Sequence, residues 1–248
     1  MIFEKQFSIF LDLGRSQMQK LLLLFFLSVL AEMPAFGATY YDGLMSYFMG
    51  DHAVAAEILR DQAERGNSDA QLILGSMYDR GEGVQSDAGM AIKWWRRAAE
   101  KNVSEAQFNL GDFYRRGRGV SRDLSESVKW FKKAAEGGYP KAQRALAYAY
   151  STGDGVKKDL KEAVKWWEKA AEQGDSHAQC ILALSYAMGQ GCRASLAEAY
   201  FWAYIAAEKD EKYLILRNRL AAELKPDDHR QTVVRARAWI KRFDLEKR

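Results

Sequence analysis

The sequence is poor in three residue types, and each scarcity bears on the kind of protein this is. Its 248 residues include 3 prolines, 2 cysteines and 3 histidines. Because proline interrupts helices, its scarcity favours a chain that is almost entirely helical. The histidines, His52, His177 and His229, lie far apart, and no two of them stand at the spacing of metal ligands. The sequence therefore predicts no metal site.

The two cysteines, Cys180 and Cys192, would be the disulfide partners in an oxidising compartment. Helical spacing places Cys180 near the start of a helix and Cys192 beyond its end, roughly 12 Å further along the axis. That distance exceeds the reach of a disulfide unless the loop folds back. We therefore expect two free, buried thiols.

Motifs of common catalytic and phosphate-binding sites are also missing. No Gly-x-Ser-x-Gly nucleophile elbow occurs. The segment Gly117-Arg118-Gly119 is not followed by the Lys-Ser/Thr pair of a phosphate-binding loop. We expect no catalytic residue, no cofactor and no enzymatic activity.

The net charge of +4 is concentrated at the C-terminal end. Residues 209–248 carry twelve basic and seven acidic side chains, a local excess of +5, so the rest of the chain is close to neutral. No basic stripe with interleaved aromatic residues runs along it. A nucleic-acid partner is therefore not expected.

The N-terminal end has the layout of a secretory signal peptide, which we assign to residues 1–37. Residues 21–31 form an apolar run of 11 residues, too short to span a bilayer, with a lysine before it. Ala35 and Gly37 fit a cleavage site after residue 37. The acidic residues before Met18 do not fit a signal, so we expect Met18 to be the true start. An uncleaved anchor or a disordered tail is the alternative. We predict a periplasmic or secreted protein with no stable membrane span after cleavage.

The dominant feature of the sequence is a repeat of 36 residues. Three full copies span residues 70–105, 106–141 and 142–177, and a more divergent copy spans residues 178–208. A fixed period of this length predicts a stacked array of repeats. One glutamine recurs at the same position of each copy: Gln71, Gln107, Gln143 and Gln179.

Each copy is predicted to contain two helices joined by a glycine-rich turn. In the first copy, Leu74, Gly75 and Tyr78 stand at helical spacing, and Gly75 is expected to let a neighbouring backbone approach. Gly81 and Gly83 then allow the positive φ angles that end a helix. The second helix is expected to begin after an N-cap aspartate. Those aspartates are Asp87, Asp123 and Asp159.

The repeat motif resembles a known family. It reads AQ-x-x-LG-x-x-Y-x-x-G-x-GV-x-x-D and then A-x-x-WW-x-x-AAE-x-G, which is similar to the Sel-one-like repeat, a relative of the tetratricopeptide repeat. The match covers residues 70–208 and departs in the fourth copy at Cys192, Ser195 and Ala203. The resemblance implies an all-α, right-handed α-solenoid that holds other proteins, with no shared catalytic residue. In the second copy it is carried by Gln107, Leu110, Gly111, Tyr114, Gly117, Gly119, Val120, Asp123, Trp130, Ala134, Ala135 and Glu136.

The two ends of the array are expected to be capped by atypical units. Residues 38–69 are interpreted as an N-terminal half-repeat, and residues 209–248 as C-terminal capping helices. A basic helix lying on a membrane surface is the alternative for the C-terminal end.

The first helices are expected to line a concave groove, as in tetratricopeptide-like stacks. On each of them, the positions opposite the core are charged in the early copies and apolar in the fourth. Arginine binds carboxylates bidentately, so we expect the groove to hold an acidic, partly apolar peptide or helix of another protein. The alternative is an ordinary solvated face. The candidate groove residues are Ser76, Asp79, Arg80, Phe108, Asp112, Arg115, Arg116, Arg144 and Tyr148.

The leading functional hypothesis is a non-catalytic scaffold, an adaptor or regulator in the bacterial envelope or in host interaction. Two alternatives remain open at this point. One is an envelope enzyme acting on peptidoglycan or β-lactams, which the family resemblance brings in. The other is a self-assembling structural protein, so the sequence leaves homo-oligomerisation undecided.

Overall fold

The computed structural model describes residues 38–246. The expected signal peptide in residues 1–37 lies outside the described residues. Within residues 38–246 there are twelve α-helices, a short 3₁₀ helix at Glu211–Tyr213 and no strand. In chain order the α-helices are α1 (Tyr40–Met49), α2 (His52–Glu64), α3 (Ser68–Arg80), α4 (Ala88–Glu100), α5 (Ser104–Arg116), α6 (Leu124–Glu136), α7 (Pro140–Thr152), α8 (Leu160–Glu172), α9 (Ser176–Met188), α10 (Leu196–Lys209), α11 (Leu214–Glu223) and α12 (Pro226–Glu246).

The helices pack in chain order, so the molecule is a solenoid. From α1 to α10, each helix packs against its neighbours along the chain, and α10 also contacts α11 and α12. The core accordingly runs along the array as a series of clusters of buried alanine, leucine and aromatic side chains. No single repeat encloses a core, which makes the stack the stable unit. The predicted all-α solenoid is confirmed.

The second helix of each repeat begins at the predicted cap. The carboxylate of Asp87 accepts a hydrogen bond from the backbone N–H of Met90 at 3.0 Å. Asp123 and Asp159 cap α6 and α8 in the same way. In the fourth repeat the hydroxyl of Ser195 takes this role for α10. An oxygen acceptor at this position satisfies an N–H that the helix itself leaves unpaired.

The paired turn glycines have the predicted positive φ, and the second of each pair also has a packing role. Gly81 and Gly83 have φ angles of 73° and 68°. A Cβ added at Gly155, the equivalent of Gly83, would lie 2.1 Å from the carbonyl oxygen of Leu124 at the start of α6. At Gly191 it would lie 2.2 Å from the corresponding oxygen at the start of α8. The turn of one repeat therefore presses on the preceding repeat where only glycine fits.

The small residue in the first helix has a different neighbour from the one predicted. A Cβ at Gly75 would lie 2.6 Å from the indole of Trp95, and at Gly111 it would lie 2.5 Å from the ring of Phe131. The prediction of a close backbone was therefore wrong at these two positions, because an aromatic side chain of the second helix occupies the space. In the first repeat, the indole Nε1 of Trp95 also donates a hydrogen bond to the carbonyl of Leu72 at 3.1 Å.

The recurring glutamine joins each repeat to the preceding unit. Its side-chain amide is buried and donates to a carbonyl oxygen in the last turn of the preceding helix. Each of these carbonyls also accepts a backbone N–H from the turn that follows its helix, so the glutamine adds a second hydrogen bond, to an oxygen with two lone pairs. The four bonds run from Gln71 to Ala63 (2.9 Å), Gln107 to Ala99 (3.1 Å), Gln143 to Ala135 (3.3 Å) and Gln179 to Ala171 (2.9 Å).

The C-terminal helix α12 covers the end of the array. Its apolar face, which includes Val233, Ala236 and Ile240, packs into the same core cluster as α10. Arg235 adds a bidentate contact to Glu198 at 2.8 and 2.7 Å. The face that a membrane-surface helix would need is therefore already used. Among the described residues, no helix combines the length and the hydropathy that a membrane span requires.

Candidate partner-binding groove

The nine predicted groove residues line two adjoining cavities formed mainly by the first helices. The larger, of about 580 Å³, lies between the second and third repeats, and we call it the arginine cavity. The smaller, of about 320 Å³, lies between the first and second repeats, and we call it the first-repeat cavity. Phe108, Asp112, Arg116 and Lys141 line both. The structure thus brings together the side chains that the helical spacing placed on one face.

The arginine cavity carries an excess of positive charge. Its lining contains five cationic and two acidic side chains, which leaves three more cations than carboxylates. A concave surface lined by one sign of charge focuses the field and attracts ligands of the opposite sign. The cationic members are Arg115, Arg116, Arg122, Lys141 and Arg144, and the acidic members are Asp112 and Asp154.

Two of these arginines share one carboxylate. Asp112 contacts Arg115 at 2.5 Å and Arg116 at 2.7 Å, and the two arginine side chains are 47% and 62% exposed. Each guanidinium has five N–H donors, so one shared carboxylate cannot saturate both. Exposed ion pairs of this kind contribute only about 0–1 kcal/mol. Because these ion pairs are weak and do not use every N–H donor, both arginines can also donate hydrogen bonds to a ligand carboxylate.

Arg144 and Tyr148 form the wall towards the third repeat. Arg144 lies 3.5 Å from the carboxylate of Asp175, which also caps α9. The ring of Tyr148 stands edge-on to Trp167 and to His177, with ring centroids 6.0 Å apart in both cases. Burial raises the pKa of Tyr148, so at neutral pH its hydroxyl is un-ionised and able to donate a hydrogen bond.

The arginine cavity is also lined by side chains that were not among the predicted groove residues. His177 lines the arginine cavity, as do Lys141 and Arg122. The Nε of Arg122 donates to the carbonyl of Arg115 at 3.2 Å, which fixes the turn against α5. Lys141 and His177 lie in the first turns of α7 and α9, outside the positions opposite the core from which the groove residues were predicted. The available signal was that this repeat position changes from acidic, Asp69 and Glu105, to Lys141 and His177 in the later repeats.

The first-repeat cavity is less suited to an acidic ligand. Asp79 forms an ion pair of 2.8 Å with Arg118, which reaches back from the turn of the second repeat. Arg80 donates to the hydroxyl of Tyr47 at 3.2 Å and lies 3.5 Å from Glu82. These local partners already oppose the charges of the first repeat. The accessible positive charge is concentrated one repeat further along.

A third cavity, of about 410 Å³, continues the groove into the fourth repeat. We call it the apolar cavity; Trp167, Ile181, Leu184 and Met188 are part of its lining. The side chains of Leu184 and Met188 remain 38% and 58% exposed. They occupy the repeat positions of Tyr148 and Thr152, one unit further along. The predicted change from charged to apolar along the groove is present in the structure.

The cysteines differ in part from the prediction. Cys180 and Cys192 are free, as expected, but both are half-buried and neither lies in the core. Burial raises the pKa of both thiols, so they are protonated at neutral pH and weak nucleophiles. In residues 38–246, no group of three or more histidine, cysteine, aspartate or glutamate side chains is arranged to hold a metal ion.

Comparison with known proteins agrees with this architecture. A crystal structure of a Sel1 repeat protein from Oxalobacter formigenes is 32% identical over 84% of this chain and 85% of that one, with a TM-score of 0.71. The protective antigen c5321 of uropathogenic Escherichia coli, described as displaying an SLR fold, is 27% identical over 83% of this chain and 53% of that one, with a TM-score of 0.54. No curated protein matches this chain.

The family model described as Sel1 repeat matches four consecutive units, at residues 68–103, 104–139, 140–175 and 176–211. These units begin two residues before the ones read from the sequence, at the first residues of α3, α5, α7 and α9. Sel1 repeat proteins are generally scaffolds for protein interaction. With four matched units and a close structural relative, the chain belongs to the Sel1 repeat family.

Proposed function

We propose that this protein is an exported, non-catalytic scaffold whose groove binds an acidic, partly apolar segment of another protein in the bacterial envelope or outside the cell. The observation that carries the proposal is the excess of cations over carboxylates in a cavity of about 580 Å³ on the groove side of the array, three in the lining and still two when Asp175, the partner of Arg144, is counted. Arginine is enriched at binding hot spots, and a guanidinium matches a carboxylate bidentately. The aromatic rings of Phe108 and Tyr148 add apolar contact area in the same cavity.

The chemistry of the groove supports a binding role over a catalytic one. A nucleophilic cysteine needs a lowered pKa, whereas burial raises the pKa of both Cys180 and Cys192. The charged side chains of the arginine cavity are arginine, lysine and aspartate, and cations outnumber carboxylates, which suits the holding of an anion. Within this lining, Arg115 and Arg116 are ion-paired with Asp112. An adaptor or regulator that holds a partner segment requires nothing more.

The groove is tested by capture of a partner with the double variant Arg116→Ala/Arg144→Ala. Because two charge-assisted contacts are removed, we expect the affinity for the captured partner to fall about 10- to 100-fold. The measurement is quantitative capture from the envelope fraction of the producing bacterium on immobilised protein, with the bound partner titrated.

The matched control is Arg65→Ala/Arg219→Ala, which removes two exposed arginines, each ion-paired to an acid one helical turn away, outside the groove. Both double variants are expected to keep their melting temperature within a few degrees, because surface ion pairs contribute only about 0–1 kcal/mol. Equal capture of the partner by the groove variant and the wild type would contradict the proposed binding site.

Export is tested separately by sequencing the N-terminus of the mature protein. The small residues before position 38 support cleavage after Gly37, so we expect the mature chain to begin at Ala38. The measurement is N-terminal sequencing of protein recovered from the periplasm and the medium. A mature chain that still contains residues 21–31 would refute cleavage and favour the uncleaved anchor.

A further inference from the structure

The arginine cavity and the apolar cavity meet at a common wall. Tyr148 lines the arginine cavity, and Trp167, which its ring contacts edge-on, lines the apolar cavity. Tyr148 and Leu184 stand at the same position of consecutive repeats, so the translation that generates the array places one cavity beside the other. A ligand that fills the arginine cavity and continues along the groove therefore meets Leu184 and Met188.

The two cavities differ in the chemistry they favour. The first is lined by five cations and two carboxylates. The lining of the second contains one cation, Lys158, and no acidic side chain, with Leu160, Ile181, Leu184, Met188 and Trp167 supplying apolar surface. Exposed apolar side chains in a concave surface mark places where a partner removes them from water. The two cavities therefore favour chemically different parts of a ligand.

We propose that the groove binds one extended peptide segment in two parts: acidic side chains in the arginine cavity and a large apolar side chain in the apolar cavity. The inference rests on the proposed function and defines its ligand more closely. The occupant is a segment of a partner protein, because the cavity charge complements carboxylates and the adjoining surface complements an aliphatic or aromatic side chain.

The spacing between the two parts follows from the geometry of the array. Packed helices lie about 8–10 Å apart, and consecutive first helices both pack on the second helix between them, so their axes are about 10 to 20 Å apart. An extended chain rises about 3.3 Å per residue. The apolar side chain therefore stands about three to six residues from the acidic group.

The test uses fluorescein-labelled synthetic peptides and fluorescence anisotropy with the full chain. One peptide carries three acidic residues only, one carries a single leucine only, and a third joins both through four glycine or serine residues. A fourth joins them with no spacer, and both chain directions are made. We expect the spaced peptide, in one direction, to bind about 10- to 100-fold tighter than the acidic peptide, because burying a leucine has an effect of that size. The unspaced peptide loses this gain.

Two sets of variants assign the parts. Leu184→Ser/Met188→Ser is expected to remove the gain from leucine and leave binding of the acidic peptide unchanged. Its matched control, Ile215→Ser/Val234→Ser, replaces two exposed apolar residues on α11 and α12 and is expected to change neither. Arg116→Ala/Arg144→Ala weakens the binding of both peptides.

The possible failures are distinguishable. If leucine adds nothing, or if its effect survives in Leu184→Ser/Met188→Ser, the two-part site is refuted while the acidic groove stands. If no acidic peptide binds at concentrations up to about 1 mM, an affinity of roughly 4 kcal/mol, both this inference and the proposed groove function fail.

Discussion

Replacing Gly155 by alanine is expected to lower the free energy of unfolding by about 2–5 kcal/mol. The φ angle of Gly155 is 74°, a region that costs an L-residue about 1–2 kcal/mol. The added Cβ would also lie 2.1 Å from the carbonyl oxygen of Leu124 in the preceding repeat. That oxygen belongs to a helix backbone, so the two repeats must separate, and such overpacking costs about 1–3 kcal/mol. Urea denaturation followed by circular dichroism measures the change.

The matched control lies two residues away in the same turn. Gly153 has a φ angle of 87°, but a Cβ there meets its nearest neighbour, the Cβ of Lys158, at an ordinary 3.4 Å. Gly153→Ala should therefore cost only the conformational part, about 1–2 kcal/mol. If the two variants lose the same stability, the contact between the turn and the start of α6 does not limit the packing of adjacent repeats.

Replacing Trp95 by alanine is expected to lower the free energy of unfolding by about 3–5 kcal/mol, the usual cost of emptying the space of a buried aromatic side chain. The indole is 2% exposed, donates to the carbonyl of Leu72 at 3.1 Å and stands edge-on to Phe113 with ring centroids 4.8 Å apart. The loss includes the stacking between the first and second repeats, because Trp95 and Phe113 belong to consecutive units. Thermal and urea unfolding report the change.

The same indole decides the effect of a substitution at Gly75. In the wild type, Gly75→Ala brings a Cβ to 2.6 Å from the ring and should cost about 1–3 kcal/mol. In the Trp95→Ala background the ring is gone, and alanine then exceeds glycine in helix propensity by about 1 kcal/mol. The expected effect of Gly75→Ala therefore changes sign between the two backgrounds. Equal costs in both would show that the contact between ring and glycine does not determine this position.

The local features of the fold were predictable because they depend on neighbouring residues alone. The helix pairs follow from the spacing of Leu74 and Tyr78, and the helix ends follow from glycines that permit positive φ. The N-caps at Asp87 and its equivalents follow from the preference of a helix start for an oxygen acceptor. Each of these features depends only on residues within about one helical turn of one another.

The features that were missed depend on contacts between helices that only the packing of the array brings together. Periodicity identified the glutamine that recurs as Gln107, but its bond to the carbonyl of Ala99 requires knowledge of how the preceding helix ends beside it. Gly75 was missed for a related reason: its neighbour is the ring of Trp95 on the second helix of the same repeat, and the packing of these two helices is not set by local spacing. In the groove, the charged positions on the first helices were predictable from helical spacing. That His177 and Lys141 also line the cavity depends on how the turns place the starts of α9 and α7.

The sequence by itself determined the number of units, the two helices in each and the change of the groove face from charged to apolar, because a 36-residue period and helical spacing are properties of the chain alone. Only the tertiary structure decided which charges are accessible. Arg80 is hydrogen-bonded to Tyr47 and lies beside Glu82, and Asp79 is ion-paired with Arg118. In contrast, Arg115 and Arg116 share one carboxylate beside an open cavity. The physical reason is that the contacts of Arg80 with Tyr47 and of Arg118 with Asp79 join residues 33 and 39 apart in the chain, so they depend on how the repeats stack, which no local pattern encodes.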